Sequence, residues 1–325
     1  MSGLVLGIDG GQTATTAAIC DFNGCLLGIG RAGPANHVWE PGGVVRAQRA
    51  VKAAVAQAWR EAALMPVRFQ AAFLGMTGGD QRTERAVRRC IRADRLQLEN
   101  DSVSALACVT GGKPGVVVIA GTGTITYGVN ARGDTARVSG WGYLLGDEGG
   151  GFWIARQAIA AACRACDGRG PETALTPLLL QAAGVEGLWD LHGLIYSGRL
   201  SRAGMAALAE VVPDAARGGD AIAGRILARA GRELGLSAAV VTEKLGLQRG
   251  PVIIGMVGGV FRGSTAVKRG FRSKVRRHAP KAVFTEPRFS PVVACVLLAL
   301  RMAGVRLTSG VLANLDAASA IMGAK

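Results

Sequence analysis

The chain has 325 residues, 49% of them hydrophobic, which is enough apolar surface for the cores of two modest domains. Its formal net charge is +15, from 38 Lys and Arg against 23 Asp and Glu. No N-terminal signal sequence is recognisable, and the longest strongly apolar run, Val292 to Leu300, is too short to span a bilayer. Length and composition therefore predict a soluble, cytoplasmic protein with no membrane partner.

The seven cysteines are scattered along the chain, and only Cys163 and Cys166 form a CxxC pair. No second Cys or His pair follows at the spacing of metal ligands. We therefore interpret the cysteines as small, buried apolar residues of a protein in a reducing compartment, in preference to a zinc or iron-sulfur site.

Basic residues concentrate in two stretches, 82–95 and 267–281. Such charge is typical of proteins that bind nucleic acid. However, the two stretches contain one Phe and no Tyr or Trp, so they lack the stacking platform of single-strand binders. We interpret them as solvated helix faces on a protein with anionic substrates and expect no nucleic-acid partner. The sequence leaves a homodimer open.

The first elements along the chain form a pattern that returns about 110 residues later. Apolar run, glycine loop, β-prone run, tight turn and β-prone run follow one another in both places, and a strand, a helix and a further strand come after each. The runs are LVLGID, ATTAAICD, CLLGIG, AAFLGM and LQLEN in the first half, and GVVVIA, ITYGV, TARVSG, PVIIGMV and AVFTE in the second. Alanine-rich helical stretches, such as Arg46 to Leu64, fill the space between them. The sequence thus predicts one α/β unit encoded twice, with a ligand cleft between the copies.

The two glycine loops occupy equivalent places in the repeat, at Gly10 to Thr13 and at Gly121 to Thr124. Bare backbone N–H groups in such loops bind phosphate, and two loops of this kind suit a polyphosphate. Asp9 precedes the first loop directly, so a carboxylate there implies a cation beside the phosphates, and Mg2+ is the expected ion. The GxxxxGK[ST] and GxGxxG patterns are both absent.

Five segments together resemble the sugar-kinase, actin and heat-shock ATPase superfamily, and within it the BadF/BadG/BcrA/BcrD-type ATPase family, whose close members include N-acetylglucosamine kinases. They are GIDGGQTATTAA, NDSVSAL, VIAGTGTITYGVN, GWGYLLGDEGGGFWIARQA and IIGMVGGVF. The resemblance implies duplicated actin/hexokinase-like (ribonuclease H-like) α/β domains with the ATP and substrate cleft between them. We expect the first domain at residues 1–115, the second at 116–289, and a C-terminal helix at 290–325 packed back on the first.

The resemblance also implies a role for each part of the ATP site. Gly10, Gly11, Gln12 and Thr13 of the first loop, with Gly121, Thr122, Gly123 and Thr124 of the second, would hold the β- and γ-phosphates. Gly258 and Gly259 would lie beside the adenosine. Asp101 would be the catalytic base, since phosphoryl transfer needs the acceptor oxygen held in line and its proton accepted. An N-cap of the following helix is the alternative role for Asp101.

In the family, the segment equivalent to GWGYLLGDEGGG lines the sugar pocket. Asp147 would accept hydrogen bonds from ring hydroxyls, and Glu148 would do the same or cap the helix that begins near Gly150. Glycines let a sugar ring approach the backbone closely, and Trp141 is either a pocket wall or a core residue. The expected substrate contacts are Asn36, His37, Gly140, Trp141, Gly142, Asp147 and Glu148. Gln12 and Ala14 depart from a glycine and a lysine that many relatives carry in the first loop.

The resemblance therefore implies a kinase that uses ATP and Mg2+ to phosphorylate an amino sugar, with the 6-hydroxyl of N-acetylglucosamine as the expected acceptor. Glucosamine and N-acetylmuramic acid are alternative substrates. A second alternative is an ATPase that activates 2-hydroxyacyl-CoA dehydratases. It would need a pair of well-placed cysteines for an iron-sulfur cluster, but Cys163 and Cys166 are neighbours on a predicted helix and lack the glycine setting of a cluster site. A third is a sugar-sensing regulator or a non-catalytic nucleotide binder, although no added DNA-binding segment is evident.

Overall fold

The structure is a computed structural model that describes residues 3–11, 13–35, 38, 40–78 and 81–323. The chain divides into two compact units. The first contains Met1–Lys113 and Pro287–Lys325, and the second contains Pro114–Glu286.

The strands of the described residues are β1 (Leu4–Gly10), β2 (Thr15–Asp21), β3 (Leu26–Ala32), β4 (Phe69–Met76), β5 (Ala93–Asn100), β6 (Gly115–Ala120), β7 (Thr124–Val129), β8 (Thr135–Ser139), β9 (Val252–Val257) and β10 (Ala282–Thr285). The helices are α1 (Gly43–Glu61), α2 (Gln81–Arg88), α3 (Asp101–Thr110), α4 (Gly151–Cys166), α5 (Leu175–Ala183), α6 (Leu188–Tyr196), α7 (Arg202–Ala207), α8 (Val212–Arg217), α9 (Ala221–Lys244), α10 (Gly259–Gly263), α11 (Thr265–Arg276), α12 (Pro291–Met302) and α13 (Ser309–Gly323).

Each unit is built on a five-stranded mixed sheet, and the two sheets have the same topology. Their strand orders are β3-β2-β1-β4-β5 and β8-β7-β6-β9-β10. In both, the first three strands are antiparallel neighbours and the last two join in parallel. The duplication predicted from the repeated sequence pattern is confirmed.

The central strand β1 is apolar without alternation because helices cover both faces of its sheet. Val5 packs in a cluster with α12, whereas Leu6 and Ile8 pack in a cluster with α1. All three side chains are fully buried. In the second unit, Val116 and Val118 of β6 belong to a core that includes residues of α4 and α9.

The C-terminal segment, predicted as one helix at 290–325, forms α12 and α13. The break follows from Gly304, whose φ of 81° is the left-handed conformation that ends many helices. α12 carries a nearly continuous buried run, including Cys295 and Val296, and packs in the core of the first unit.

The cysteines are all free, but they are not equally buried. Cys20, Cys108 and Cys295 are buried, whereas Cys163 is half-buried and Cys166 is exposed on α4. The expectation of buried cysteines therefore fails at the CxxC pair, where the last turn of α4 faces solvent, and also at Cys25 and Cys90, which are half-buried. No helix in the described part of the chain combines the length and apolarity needed to cross a membrane.

Candidate active site

Three parallel strands of the first unit end side by side. Gly10 at the end of β1 is in register with Met76 of β4, and Met76 is in register with Asn100 of β5. The residues that follow these strands therefore emerge at one edge of the sheet. They begin the first glycine loop, the segment containing Thr77, and helix α3 with Asp101.

Asp101 is the first residue of α3, but it does not cap that helix. The N-cap is Asn100, whose side chain accepts a hydrogen bond from the N–H of Ser102 at 3.1 Å. Oδ2 of Asp101 instead accepts a hydrogen bond from the hydroxyl of Thr77, at 2.7 Å. Because Asn100 fills the capping role, the alternative role considered for Asp101 is wrong, and its carboxylate is available for other work.

Asp9 precedes the first glycine loop and lies close enough to Asp101 for the two charges to interact. Burial, and after it the negative charge of Asp101, together raise the pKa of Asp9 to about 7. Two carboxylates at one partly dehydrated edge repel each other unless a proton or a cation is shared between them. The oxygen donors of this edge fit a hard cation such as Mg2+.

The second glycine loop is fastened to the start of α4 by backbone hydrogen bonds. The N–H groups of Gly151 and Phe152 donate to the carbonyls of Gly121 and Thr122, at 2.8 Å and 3.0 Å. Within the loop, the N–H of Gly121 donates to the carbonyl of Gly123 at 3.0 Å. The loop is thus fixed in shape by the helix that follows the glycine-rich segment 140–151.

Asp147 lies against this loop in an unusual setting for a carboxylate. Its side chain is only 5% exposed, its φ of 61° is in the left-handed region, and Oδ1 has no hydrogen-bond partner among the described residues. Burial raises the pKa of Asp147, while the N–H groups of Thr124 and Gly142 and the charge of Arg202 oppose the rise. A buried, strained carboxylate with an unused oxygen is a strong candidate for a ligand contact.

The segment between β8 and Asp147 exposes large apolar side chains. Trp141 is 75% exposed, Leu144 is 78% and Leu145 is 80%. The core alternative for Trp141 is therefore wrong. Gly140 and Gly142, with φ of 77° and 88°, have backbone conformations that L side chains rarely adopt. The segment therefore exposes backbone groups and apolar side chains side by side, which is the combination that can contact the polar and apolar parts of a sugar ring.

Helix α4 begins at Gly151 with Gly150 as its N-cap, and Glu148 makes no hydrogen bond to the described residues there. The capping alternative for Glu148 is therefore wrong, and its side chain is exposed. The buried face of α4 includes Trp153, Ile154 and Ala158, whereas Phe152 is only half-buried. Of the predicted contacts, Gln12, Asn36 and His37 lie outside the residues that the structure describes.

The second unit contains a pocket of about 730 Å³ that brings the second glycine loop together with α10. Gly121, Thr122 and Gly259 line it, whereas Gly258 is the N-cap of α10 and packs on Ala120. A β-carbon on Gly258 would lie 2.6 Å from the carbonyl carbon of Ala120, and its φ is 108°, so only glycine fits there. The pocket volume is in the range of small-molecule sites.

No sequence motif indicates the opposite wall of this pocket. It is formed by the segment from α7 to α8, with several alanines, Glu210 and the ion pair of Asp214 with Arg217. Alanine-rich helices carry no motif, so only their placement in the fold shows that they line a site. Thr77 was likewise missed, because its partner Asp101 is distant in sequence.

The duplicated sheets, the two glycine loops and the carboxylates beside them define an actin/hexokinase-like ATPase. The chain belongs to the BadF/BadG/BcrA/BcrD ATPase family, whose sequence profile matches residues 6–299. The family resemblance and the fold class predicted from the sequence are both confirmed.

Two curated relatives and one solved structure are similar over nearly the whole chain. The N-acetylmuramic acid/N-acetylglucosamine kinase of Clostridium acetobutylicum is 30% identical over 91% of this chain and 97% of its own. The N-acetyl-D-glucosamine kinase of Dictyostelium discoideum is 29% identical over 91% and 98%. A Chromobacterium violaceum protein assigned as an N-acetylglucosamine kinase is 26% identical with a TM-score of 0.73, covering 92% of this chain and 99% of that one.

Proposed function

We propose that this protein is an ATP-dependent amino-sugar kinase that transfers the γ-phosphoryl group of ATP to the 6-hydroxyl of N-acetylglucosamine. The names of both curated relatives include N-acetylglucosamine kinase activity, and they match this chain over nearly all of its length. The carboxylate of Asp101 carries the proposal. It stands at the edge where three strands end, is released from capping by Asn100, and is held by Thr77.

Asp101 serves as the general base in this proposal. The 6-hydroxyl of the sugar gives its proton to the carboxylate as its oxygen bonds to the γ-phosphorus, and the bond from that phosphorus to the bridging oxygen of ADP breaks. The products are the sugar 6-phosphate and ADP. Positioning and charge stabilisation supply most of the acceleration in such transfers, because the protein forms no covalent bond itself.

Backbone groups hold the nucleotide. The loops Gly10 to Thr13 and Gly121 to Thr124 hold the phosphates. The N–H groups of Gly11, Gly121 and Thr124 already donate to Ala14, Gly123 and Asp147, so the donors are other N–H groups of these loops, such as those of Thr122 and Gly123. The pocket beside Gly258 and Gly259 takes the adenosine, and its alanines leave room for a flat base. Asp9 would hold Mg2+, directly or through water, and the ion would supply positive charge beside the phosphates. Burial first and the charge of Asp101 second raise the pKa of Asp9, and a cation there would offset both effects and keep the carboxylate ionised.

We expect the sugar to contact the segment from Gly140 to Glu148, whereas contacts from Asn36 and His37, which lie outside the described residues, stay predictions from the sequence. Oδ1 of Asp147, which has no partner among the described residues, accepts a hydrogen bond from a ring hydroxyl. Gly140 and Gly142 allow the ring to approach the backbone, Trp141 offers an apolar face, and Glu148 contributes a second carboxylate at the exposed side.

N-acetylmuramic acid is the second candidate acceptor. The Clostridium acetobutylicum relative is named for both amino sugars and matches this chain over 91% of its length. The two sugars share the 6-hydroxyl and the N-acetyl group, so the same base and the same phosphate loops serve either of them.

The test is ADP release from Mg-ATP with N-acetylglucosamine, N-acetylmuramic acid, glucosamine, glucose, mannose or no sugar. We expect stimulation by N-acetylglucosamine that is lost in Asp101→Asn, which keeps the side-chain shape but removes the base. Identification of the product as the 6-phosphate by NMR fixes the acceptor atom. Turnover that is independent of every sugar would contradict the proposal and favour an ATPase with a protein partner.

A further inference from the structure

Thr77 connects the first glycine loop with Asp101, two parts of the site that are far apart in the sequence. Its N–H donates to the carbonyl of Gly10, at 3.2 Å, where the first glycine loop begins. Its hydroxyl donates to Oδ2 of Asp101, at 2.7 Å. The strand register explains both bonds, because Met76 has Gly10 on one side and Asn100 on the other.

We propose that Thr77 is a positioning residue for phosphoryl transfer, which holds Oδ2 of Asp101 so that Oδ1 faces the acceptor hydroxyl. The inference rests on the proposed function, in which Asp101 is the base. Thr77 touches neither the sugar nor ATP in this scheme, and acts through Asp101.

The geometry favours this role over a purely structural one. Asp101 makes no other side-chain hydrogen bond to the described residues, so the Thr77 hydroxyl is the only such group that fixes its rotation. The start of α3 does not depend on Asp101, because Asn100 caps the helix and Ser104 bonds the Asp101 carbonyl. A carboxylate held at one oxygen presents the other in a defined direction, and proton transfer depends steeply on that alignment.

The hydrogen bond from Thr77 to Gly10 also lets Thr77 set the distance between Asp101 and the first glycine loop. Because the Thr77 backbone is fixed to the end of β1, its hydroxyl sets the position of Asp101 relative to the first glycine loop. That loop holds the phosphates in the proposed function. One residue thus sets the separation between the base and the group that receives the sugar oxygen.

The test compares Thr77→Val, Thr77→Ala and Thr77→Ser by steady-state kinetics with Mg-ATP and the sugar of highest turnover. Val keeps the β-branched shape without the hydroxyl, Ala provides a smaller second variant should Val impair folding, and Ser keeps the hydroxyl. We expect kcat to fall about 10- to 100-fold in Val and Ala, the range for losing a hydrogen bond to a charged group. The KM values for sugar and ATP should change less than about 3-fold, and Ser should stay within about 5-fold of the parent kcat.

A double-mutant cycle with Asp101→Asn separates positioning from a general effect on the fold. If Thr77 acts through Asp101, adding Thr77→Val to Asp101→Asn lowers kcat by less than about 2-fold. An equal loss in both backgrounds, or an unchanged kcat in Thr77→Val and Thr77→Ala, overturns the inference. Full activity of Asp101→Asn would instead overturn the proposed function, so the two failures are distinguishable.

Thr110→Val is the matched control. Thr110 lies on the same helix as Asp101, and its hydroxyl donates to the carbonyl of Leu106 at 2.9 Å, remote from the strand ends. We expect this variant to keep kcat within about 2-fold while Tm changes by a few degrees. A loss of kcat equal to that of Thr77→Val would show that the kinetics report disturbance of α3, and would overturn the inference.

Discussion

The carboxylate of Asp147 occupies the space that a side chain on Gly123 would need. A β-carbon on Gly123 would lie 2.9 Å from Cγ of Asp147, closer than real contacts of this kind. The second glycine loop and the segment that we assign to the sugar therefore touch directly. The φ of Gly123 is not in the left-handed region, so its backbone conformation does not require glycine. Glycine is required there because a side chain would overlap the carboxylate of Asp147.

Gly123→Ala is expected to displace the carboxylate of Asp147 or the loop itself, because a β-carbon at position 123 and that carboxylate cannot occupy the same space. We predict a fall in kcat/KM of more than about 100-fold for both sugar and ATP. The proposed sugar contact of Asp147 and the proposed phosphate contacts of the second glycine loop both depend on the close packing of Asp147 against Gly123. Gly193→Ala is the control, as nothing lies within 4 Å of a β-carbon there. Equal activity in the two variants would contradict the close contact.

Asp147→Asn keeps the shape of the side chain and removes the charge. If Oδ1 accepts a sugar hydroxyl, kcat/KM for the sugar should fall about 10- to 100-fold with a smaller change in the KM for ATP. Asp94→Asn, at an exposed ion pair with Arg68, should leave both parameters unchanged. An unchanged KM for the sugar in Asp147→Asn would remove this residue from the sugar site.

The same carboxylate sets a pH dependence. Burial raises the pKa of Asp147, so protonation begins at a higher pH than for an ordinary aspartate. The ionised form accepts the hydroxyl hydrogen bond, and kcat/KM for the sugar should therefore fall as the pH drops through this raised pKa. In Asp147→Asn that acid limb should disappear. A limb that persists unchanged would assign it to another group.

Asp101→Asn provides a test of the electrostatics at the first strand edge. The pKa of Asp9 is raised to about 7, first by burial and second by the charge of Asp101. Removing that charge should lower the pKa of Asp9 yet leave it above the ordinary aspartate range, since burial remains. NMR titration of 13C-labelled aspartate carboxyls in metal-free protein measures it. A pKa that stays near 7 in the variant would mean that the two carboxylates do not interact.

Local sequence patterns predicted most of the strands, helices and loops, but they could not predict contacts between residues on different strands. The runs LVLGID and GVVVIA could be recognised because a buried strand needs an apolar run and its loop needs glycine. The hydrogen bond from Thr77 to Asp101 depends on the register of β4 against β5, which no local pattern specifies. The left-handed backbone of Asp147 could not be predicted either, because aspartate adopts this conformation more readily than most residues but no local pattern places it at position 147.

Ala207→Trp tests the pocket of the second unit. Ala207 lines this pocket at the end of α7 while its side chain is exposed, so a large ring there fills the pocket without disrupting the core. We expect the KM for ATP to rise at least about 10-fold with the KM for the sugar unchanged. Ala160→Trp, on the exposed side of α4 and outside the pocket, is the control and should change neither value.

Asp220 is a stability residue with no part in the proposed chemistry. As N-cap of α9 it accepts the N–H of Ala223 at 2.8 Å, and its other oxygen accepts from the Thr173 hydroxyl and the Ala174 N–H, each at 2.7 Å. Losing a cap costs about 0.5–2 kcal/mol, so Asp220→Ala should lower the urea midpoint while kcat of the folded enzyme stays unchanged.

The pH dependence of that loss has a defined sign. Burial opposes ionisation of Asp220, but its hydrogen bonds outweigh burial and lower the pKa. The stabilisation is therefore complete above the unfolded pKa, about 3.9 for aspartate, and disappears as the pH falls through the lower folded pKa. The difference in stability between the parent and Asp220→Ala should be constant near neutral pH and shrink below about pH 4. Asp167→Ala, which removes an exposed ion pair with Arg169, should cost less than about 1 kcal/mol at any pH. An equal cost in both variants would show that the three hydrogen bonds of Asp220 add nothing beyond surface charge.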